Sequence, residues 1–144
     1  MGKGFLVLRS KKAVWLRMKT TLKHFKIFKD ELKYWMARLG LVGWEKHIEH
    51  KGIDEDTLAN TGCNQTAKQF VITLNTEWPD KPKDTELMSV ACHESLEVLF
   101  DKLESFARPD KAEEAREEVH AIIQTLLNTM WQDSLKLRKI PHVV

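Results

Sequence analysis

The first 28 residues of the chain contain no aspartate or glutamate, yet they carry eight lysines and arginines. From residue 29 onward the balance reverses, with fifteen Lys/Arg against 21 Asp/Glu. The overall formal charge of +2 conceals this split between a basic N-terminal stretch and a mildly acidic remainder. Cysteine is scarce as well. Cys63 and Cys92 are the only two, and they follow no metal-binding or redox spacing. That argues against a disulfide scaffold or a cysteine-based zinc module, and it fits a reducing, cytoplasmic setting. No apolar run approaches the roughly 20 residues a membrane span needs. The short run Gly4-Phe5-Leu6-Val7-Leu8 is cut by Arg9, Lys11 and Lys12 before it reaches the about 7–15 apolar residues of a secretory signal. A membrane partner is therefore not expected.

Internal repeats and low-complexity tracts are absent too, and 144 residues suit one domain with a real core. The sequence divides into a basic extension over residues 1–19, a domain over 20–132 and a basic-apolar tail over 133–144. Met18-Lys19-Thr20-Thr21 reads as an alternative start, which would make residues 1–17 an extension outside the native protein. A basic arm can touch nucleic acid or anionic lipid. Here charge bias is its sole support, so nucleic acid is not the expected partner. Nothing in the residues specifies an oligomeric state.

Within the domain, Leu22, Phe25, Phe28, Leu32, Trp35 and Met36 recur at helical spacing over residues 20–39, and Gly40 follows as a stop. Alternation over residues 41–50 predicts a strand. Residues 57–62 form a weaker strand candidate, and residues 67–74, with Phe70, Val71, Ile72 and Leu74, the clearest one. Trp78-Pro79-Asp80-Lys81-Pro82 reads as a loop. A helix capped by Asp84 or Thr85 is expected to run to about Phe106, and a second from about Lys111 to Trp131, with Ala112, Ala115, Val119, Ile122, Leu126 and Met130 on its apolar stripe. Short turns between strands favour antiparallel pairing. The expected class is α+β: an N-terminal helix, about three short, mostly antiparallel strands, then two helices.

The helix over residues 84–106 carries the chemistry. His93-Glu94-Ser95-Leu96-Glu97 is the zinc-peptidase helix motif H-E-x-x-H with its second histidine replaced by glutamate. On a helix, residues i and i+4 share a face, so His93 and Glu97 can grip one ion while Glu94 stands beside them as a general base. Periodicity alone favours a plain solvated polar face, which Glu86, Val90, His93, Glu97, Asp101 and Glu104 would share. A catalytic zinc needs three protein ligands. The second helix offers Glu117, Glu118 and His120 for the third, and His24, His47, His50 and His142 stand elsewhere in the chain. A carboxylate-rich set tilts toward harder metals such as manganese, so zinc, manganese and a metal-free site all stay open. The strand over residues 70–74 is a candidate for pairing with an extended peptide. Cys92 reads as a buried, inert thiol.

In their order, Leu39-Gly40-Leu41, Trp44, Ala91-Cys92-His93-Glu94-Ser95-Leu96-Glu97-Val98-Leu99-Phe100 and Glu117-Glu118-Val119-His120 resemble the small zincin-like metallopeptidases of tailed phages and prophages. The resemblance covers roughly residues 22–131. It implies a zincin-like minimal domain hydrolysing a peptide or protein substrate. His93 and Glu97 would be metal ligands, Glu94 the general base and Glu118 the third ligand, with Glu117 and His120 as alternates. Glu97 departs from the family's second histidine. That departure leaves two functional classes: an altered metal-dependent hydrolase, or an inactive scaffold serving as an interaction module.

Overall fold

The computed structural model describes residues 17–54 and 56–140. It is an α+β fold in the order β1 (Met18–Lys19), α1 (Leu22–Arg38), β2 (Glu45–Lys51), β3 (Ala59–Asn64), β4 (Gln69–Asn75), β5 (Glu77–Trp78), α2 (Asp84–Ser105) and α3 (Ala112–Leu137), with a 3₁₀ turn at Pro109–Lys111 before α3. Most of the basic N-terminal stretch, together with Glu55 and His142, lies outside the described residues.

Local chemistry accounts for the helix ends. Thr21 caps α1 through a reciprocal pair: its hydroxyl accepts from the His24 amide at 3.2 Å, and His24 Nδ1 accepts from the Thr21 amide at 3.0 Å. At the other end Gly40 takes φ +70°, and the Leu41 amide reaches back to the Met36 carbonyl at 2.9 Å, closing a Schellman motif. The end of α3 repeats this device with Lys139 at φ +54° and the Ile140 amide on the Leu135 carbonyl at 3.0 Å.

The three-stranded sheet has the order β2-β4-β3. β3 and β4 form the expected antiparallel hairpin, whose turn uses Lys68 at φ +51° and an Asn64 side chain that accepts from the Ala67 amide. β2 and β4 pair in parallel, Glu45 opposite Gln69 through Lys51 opposite Asn75, so antiparallel pairing does not extend to this strand. The connection from Gly52 to Leu58 is no tight hairpin, and it hangs on the buried side chain of Asn75. The Asn75 amide group donates to the carbonyls of Asp54 (3.2 Å) and Thr57 (2.7 Å), while its oxygen accepts from the backbone amides of Ile53 and Glu77. β4 therefore enters between β2 and β3. Trp78, expected in a loop, lies in a strand instead: β5 pairs with β1, so residues 18–19 belong to the fold.

Two apolar clusters hold the layers together. One lies between sheet, α1 and α2 and contains Phe28, Leu32, Phe70, Ile72, Leu74 and Trp78. The other joins α1, α2 and α3 through Trp35, Cys92, Leu96, Ile123, Leu127 and Trp131. The buried stripe of α3 is Val119, Ile123, Leu127, Trp131 and Leu135. It differs from the stripe expected from sequence, and Ile122 is largely exposed. The helix also runs beyond Trp131 to Leu137, burying Ser134 and Leu135, so the start of the expected tail is structured. Arg138, just past it, clamps Glu31 of α1 with two bonds of 2.6 and 2.7 Å, and Trp35 Nε1 donates to the same carboxylate at 3.0 Å. The far turns of α2 and the first turns of α3 project beyond this packing. The last buried residue of α2 is Val98, and Leu99, Leu103 and Phe106 are exposed.

Candidate functional site

The face of α2 that carries His93 and Glu97 is only partly open to solvent. It forms one wall of a cleft of ≈610 Å³, with β3 (Ala59, Asn60 and Thr61) and the cleft-side flank of α3 as the others. Three side chains converge there. His93 Nε2 lies 3.2 Å from Glu97 Oε1, and His120 Nε2 lies 2.8 Å from the same oxygen. The two imidazole centroids are 6.4 Å apart. Glu104, two turns further along α2, joins this group: donor atoms of Glu97, Glu104 and His120 lie within 4.8 Å of one another.

The helical period explains which residues arrive. At about 100° per residue, the stripe through Val119 puts Arg116, His120 and Gln124 on one flank and Glu118 on the other, about 160° from His120. Arg116, His120 and Gln124 do line the cleft. Glu118 instead borders a shallow groove with Lys111, Glu114 and Ala115, and Glu117 is exposed. Of the residues named from sequence, His93, Glu94, Glu97 and His120 are thus brought together, while Glu118 and Glu117 are not. His24 is spent on capping α1. His47 pairs with Glu45 at 3.1 Å on β2. His50, also on β2, bonds Thr20 at 2.7 Å and stacks on Phe25 at 4.9 Å. β2 is the edge of the sheet away from the cleft.

Glu94 faces β3 and is 6% exposed, and Thr61 donates its hydroxyl proton to Glu94 Oε2. Burial pushes this carboxyl up to about 6; the Thr61 bond and the nearby imidazoles pull the other way without overcoming it. Glu97 behaves oppositely. Burial works to raise it, but the bond to His93 and the positive character of His120 and His93 outweigh burial and hold it below the ordinary range. The His93 proton is held more tightly than usual, first by the bond to Glu97, against the opposing effect of burial. Burial and the charges of Glu97 and Asp101 raise Glu104. Adjacent carboxylates thus carry opposed proton affinities, the pattern that separates an acid–base group from an ion-binding one.

Glu97, Glu104 and His120 form a group whose donor atoms lie close enough together to hold a metal ion, while His93 is bonded to Glu97 but stands outside that group. Two imidazoles and one or two carboxylates are acceptable to zinc and to harder metals. His93 and Glu104 are rival third donors beside the shared pair Glu97 and His120. Glu104 and Thr61 were missed as site residues in the sequence. Glu104 was visible on the His93 face three turns on, whereas no sequence signal places Thr61 against Glu94. Cys92 is buried as expected, its thiol pushed up to about 12 by burial and then by Glu31.

β4, the strand first considered for peptide pairing, is the central strand, occupied on both sides. Among the described residues, the strand at the cleft with no strand partner on its outer edge is β3. Comparison with protein-family models, with curated proteins and with solved structures returns no match. Among the described residues, no helix is long and apolar enough to cross a membrane.

Proposed function

We propose that this protein is a metal-dependent hydrolase of the zincin-like kind that cleaves a peptide bond. The observation that carries the reading is the convergence of His93 and His120, from two helices, on one oxygen of Glu97, with the buried Glu94 in the same cleft. Glu97, Glu104 and His120 would hold the ion, with His93, bonded to Glu97, as the rival third donor. A metal there supplies Lewis acidity toward the scissile carbonyl. Glu94 takes the proton of the attacking water as its oxygen adds to the carbonyl carbon, then returns it to the departing amine as the C–N bond breaks. A proton affinity close to neutrality suits both transfers. Thr61 holds Glu94 Oε2 and so fixes the carboxyl at the wall of the cleft. The free edge of β3 offers backbone groups to an extended peptide. The residue pattern's resemblance to the small zincin-like proteins of phages and prophages supports this reading.

Metal analysis of protein purified without chelator is the direct test. Bound zinc or manganese that is lost in His93→Ala and in His120→Ala but kept in Glu118→Ala is expected. Peptide cleavage should be abolished in Glu94→Gln with the metal retained. No transition metal in the parent, or metal that persists in both histidine variants, sinks the reading.

One observation favours a second reading, a non-catalytic scaffold used for interaction. Glu97 is already satisfied by two imidazoles, so the cluster can close on itself as an ion network. Glu97→His discriminates, since a gain of metal by a metal-free parent identifies a decayed site.

A further inference from the structure

At the N-terminal end of α2 a space of ≈470 Å³ opens between residues 80–83, the first two turns of α2 and the last turns of α3. It shares no lining residue with the cleft. Its nearest wall on α2, Ser89, precedes His93 by one turn, and its nearest wall on α3, Trp131, follows His120 by three. Lys83, at the N-cap of α2, makes no side-chain cap, and the first helical bond is the Leu87 amide on the Lys83 carbonyl. The amides of Thr85 and Glu86 therefore precede any helical partner. A helix start alone is met by water, but Trp131 adds an independent sign. It borders this space and is 8% exposed. Its Nε1–H finds no acceptor among the described residues and is not sealed from solvent, so it opens into the space the ring borders. A nearly buried donor without a partner is a cost that an incoming acceptor removes.

The walls carry both signs of charge. Lys81 and Lys83 stand with Asp80 and Glu86, and Leu135 adds apolar surface beside the indole. A phosphate dianion would meet two carboxylates there. A metal cation would meet two ammonium groups and the positive end of the α2 dipole. A molecule with one carboxylate, one ammonium and an apolar group matches each wall. We infer that this space is a second binding site, taking the zwitterion of a free α-amino acid with an apolar side chain. The carboxylate takes the Trp131 N–H and the open amides of α2, the ammonium faces Glu86, and the side chain rests on Leu135. The volume lies within the range of about 300–1,000 Å³ usual for small-molecule sites. The inference stands apart from the hydrolase reading, because it uses none of the residues of the ionisable cluster.

The test titrates leucine into the full ¹⁵N-labelled chain and follows the indole N–H resonances of its five tryptophans by NMR. The Trp131 resonance is the one lost in Trp131→Phe, which keeps an aromatic ring. If that variant does not fold, replacing the other four tryptophans in turn assigns the resonance by elimination. It should shift to saturation with a Kd of about 1 mM or tighter. Acetyl-leucine, which lacks the ammonium, and leucinamide, which lacks the carboxylate, should each bind at least about tenfold more weakly, the loss expected for one charge-assisted hydrogen bond. Lys83→Glu changes an exposed side chain and should weaken leucine by a similar factor. No shift of the Trp131 resonance at about 10 mM leucine overturns the site. Equal binding of the three compounds, or leucine binding untouched by Lys83→Glu, overturns it as well. A stronger response to inorganic phosphate than to leucine identifies a plain anion site and overturns the amino-acid assignment.

Discussion

Glu94 offers the sharpest quantitative test, because its burial should cost stability that a neutral isostere recovers. In the fold its carboxyl is raised to about 6 from an ordinary 4.5. A carboxyl raised in this way favours the fold in its protonated form. Relative to the unfolded chain, the native state holds the proton more tightly between those two values, so stability falls as pH rises through that window. Above about pH 6 the full penalty applies: 1.5 units at 1.36 kcal/mol each, about 2 kcal/mol. Glu94→Gln removes the charge, keeps the shape and can still accept the Thr61 hydroxyl. At pH 7.5 the metal-free variant should therefore be more stable than the parent by about 2 kcal/mol, equivalent to about 4–8 °C in Tm for a chain of this size. At pH 4.5 or below the gain should shrink to near zero. Urea unfolding in the presence of chelator, with both proteins followed from pH 4 to 8, reads this as a shift in midpoint at constant slope. A gain of the same size at pH 4.5 and 7.5, or none at pH 7.5, would refute the claim that a buried ionised carboxylate is being tolerated at this position. A stabilising change at the proposed general base is also the expected mark of a group kept for chemistry rather than for folding.

Arg138→Ala should destabilise the fold by about 3 kcal/mol in chemical denaturation, because it leaves the buried Glu31 carboxylate without its cation. Adding Glu31→Gln, which still accepts from Trp35 Nε1, should recover much of that loss. Cys63 and Cys92 both have thiols pushed up to about 12, chiefly by burial, so a thiol-specific chromogenic reagent at pH 8 should label neither in the native protein and both in denaturant. Lys139 adopts the left-handed conformation at the end of α3, so Lys139→Gly should raise the unfolding midpoint, by about 0.5–1 kcal/mol in stability.

Local patterns carried much of the architecture. The α1 periodicity, its Gly40 stop, the β3–β4 hairpin and the break at Arg108-Pro109-Asp110 all depend on residues within a few positions of one another, and each is present in the fold. The placement of β2 was not legible in the same way. Its parallel pairing depends on Asn75, far along the chain, anchoring the Gly52–Leu58 connection and admitting β4 between the other two strands.

The candidate site divides along the same line. The sequence by itself determined that His93, Glu94 and Glu97 share one stretch of helix at metal-ligand spacing, because a single helical turn sets that geometry. Only the tertiary structure decided what meets them. A rotation of the buried α3 stripe, from one running through Ile122 to one running through Ile123, brings His120 into the cleft and turns Glu118 away. The approach of β3 buries Glu94 and raises its proton affinity, where the helix alone shows only a polar face. Both outcomes come from packing between elements distant in sequence, where small rotations of a helix decide which side chain points inward and no local period records the choice.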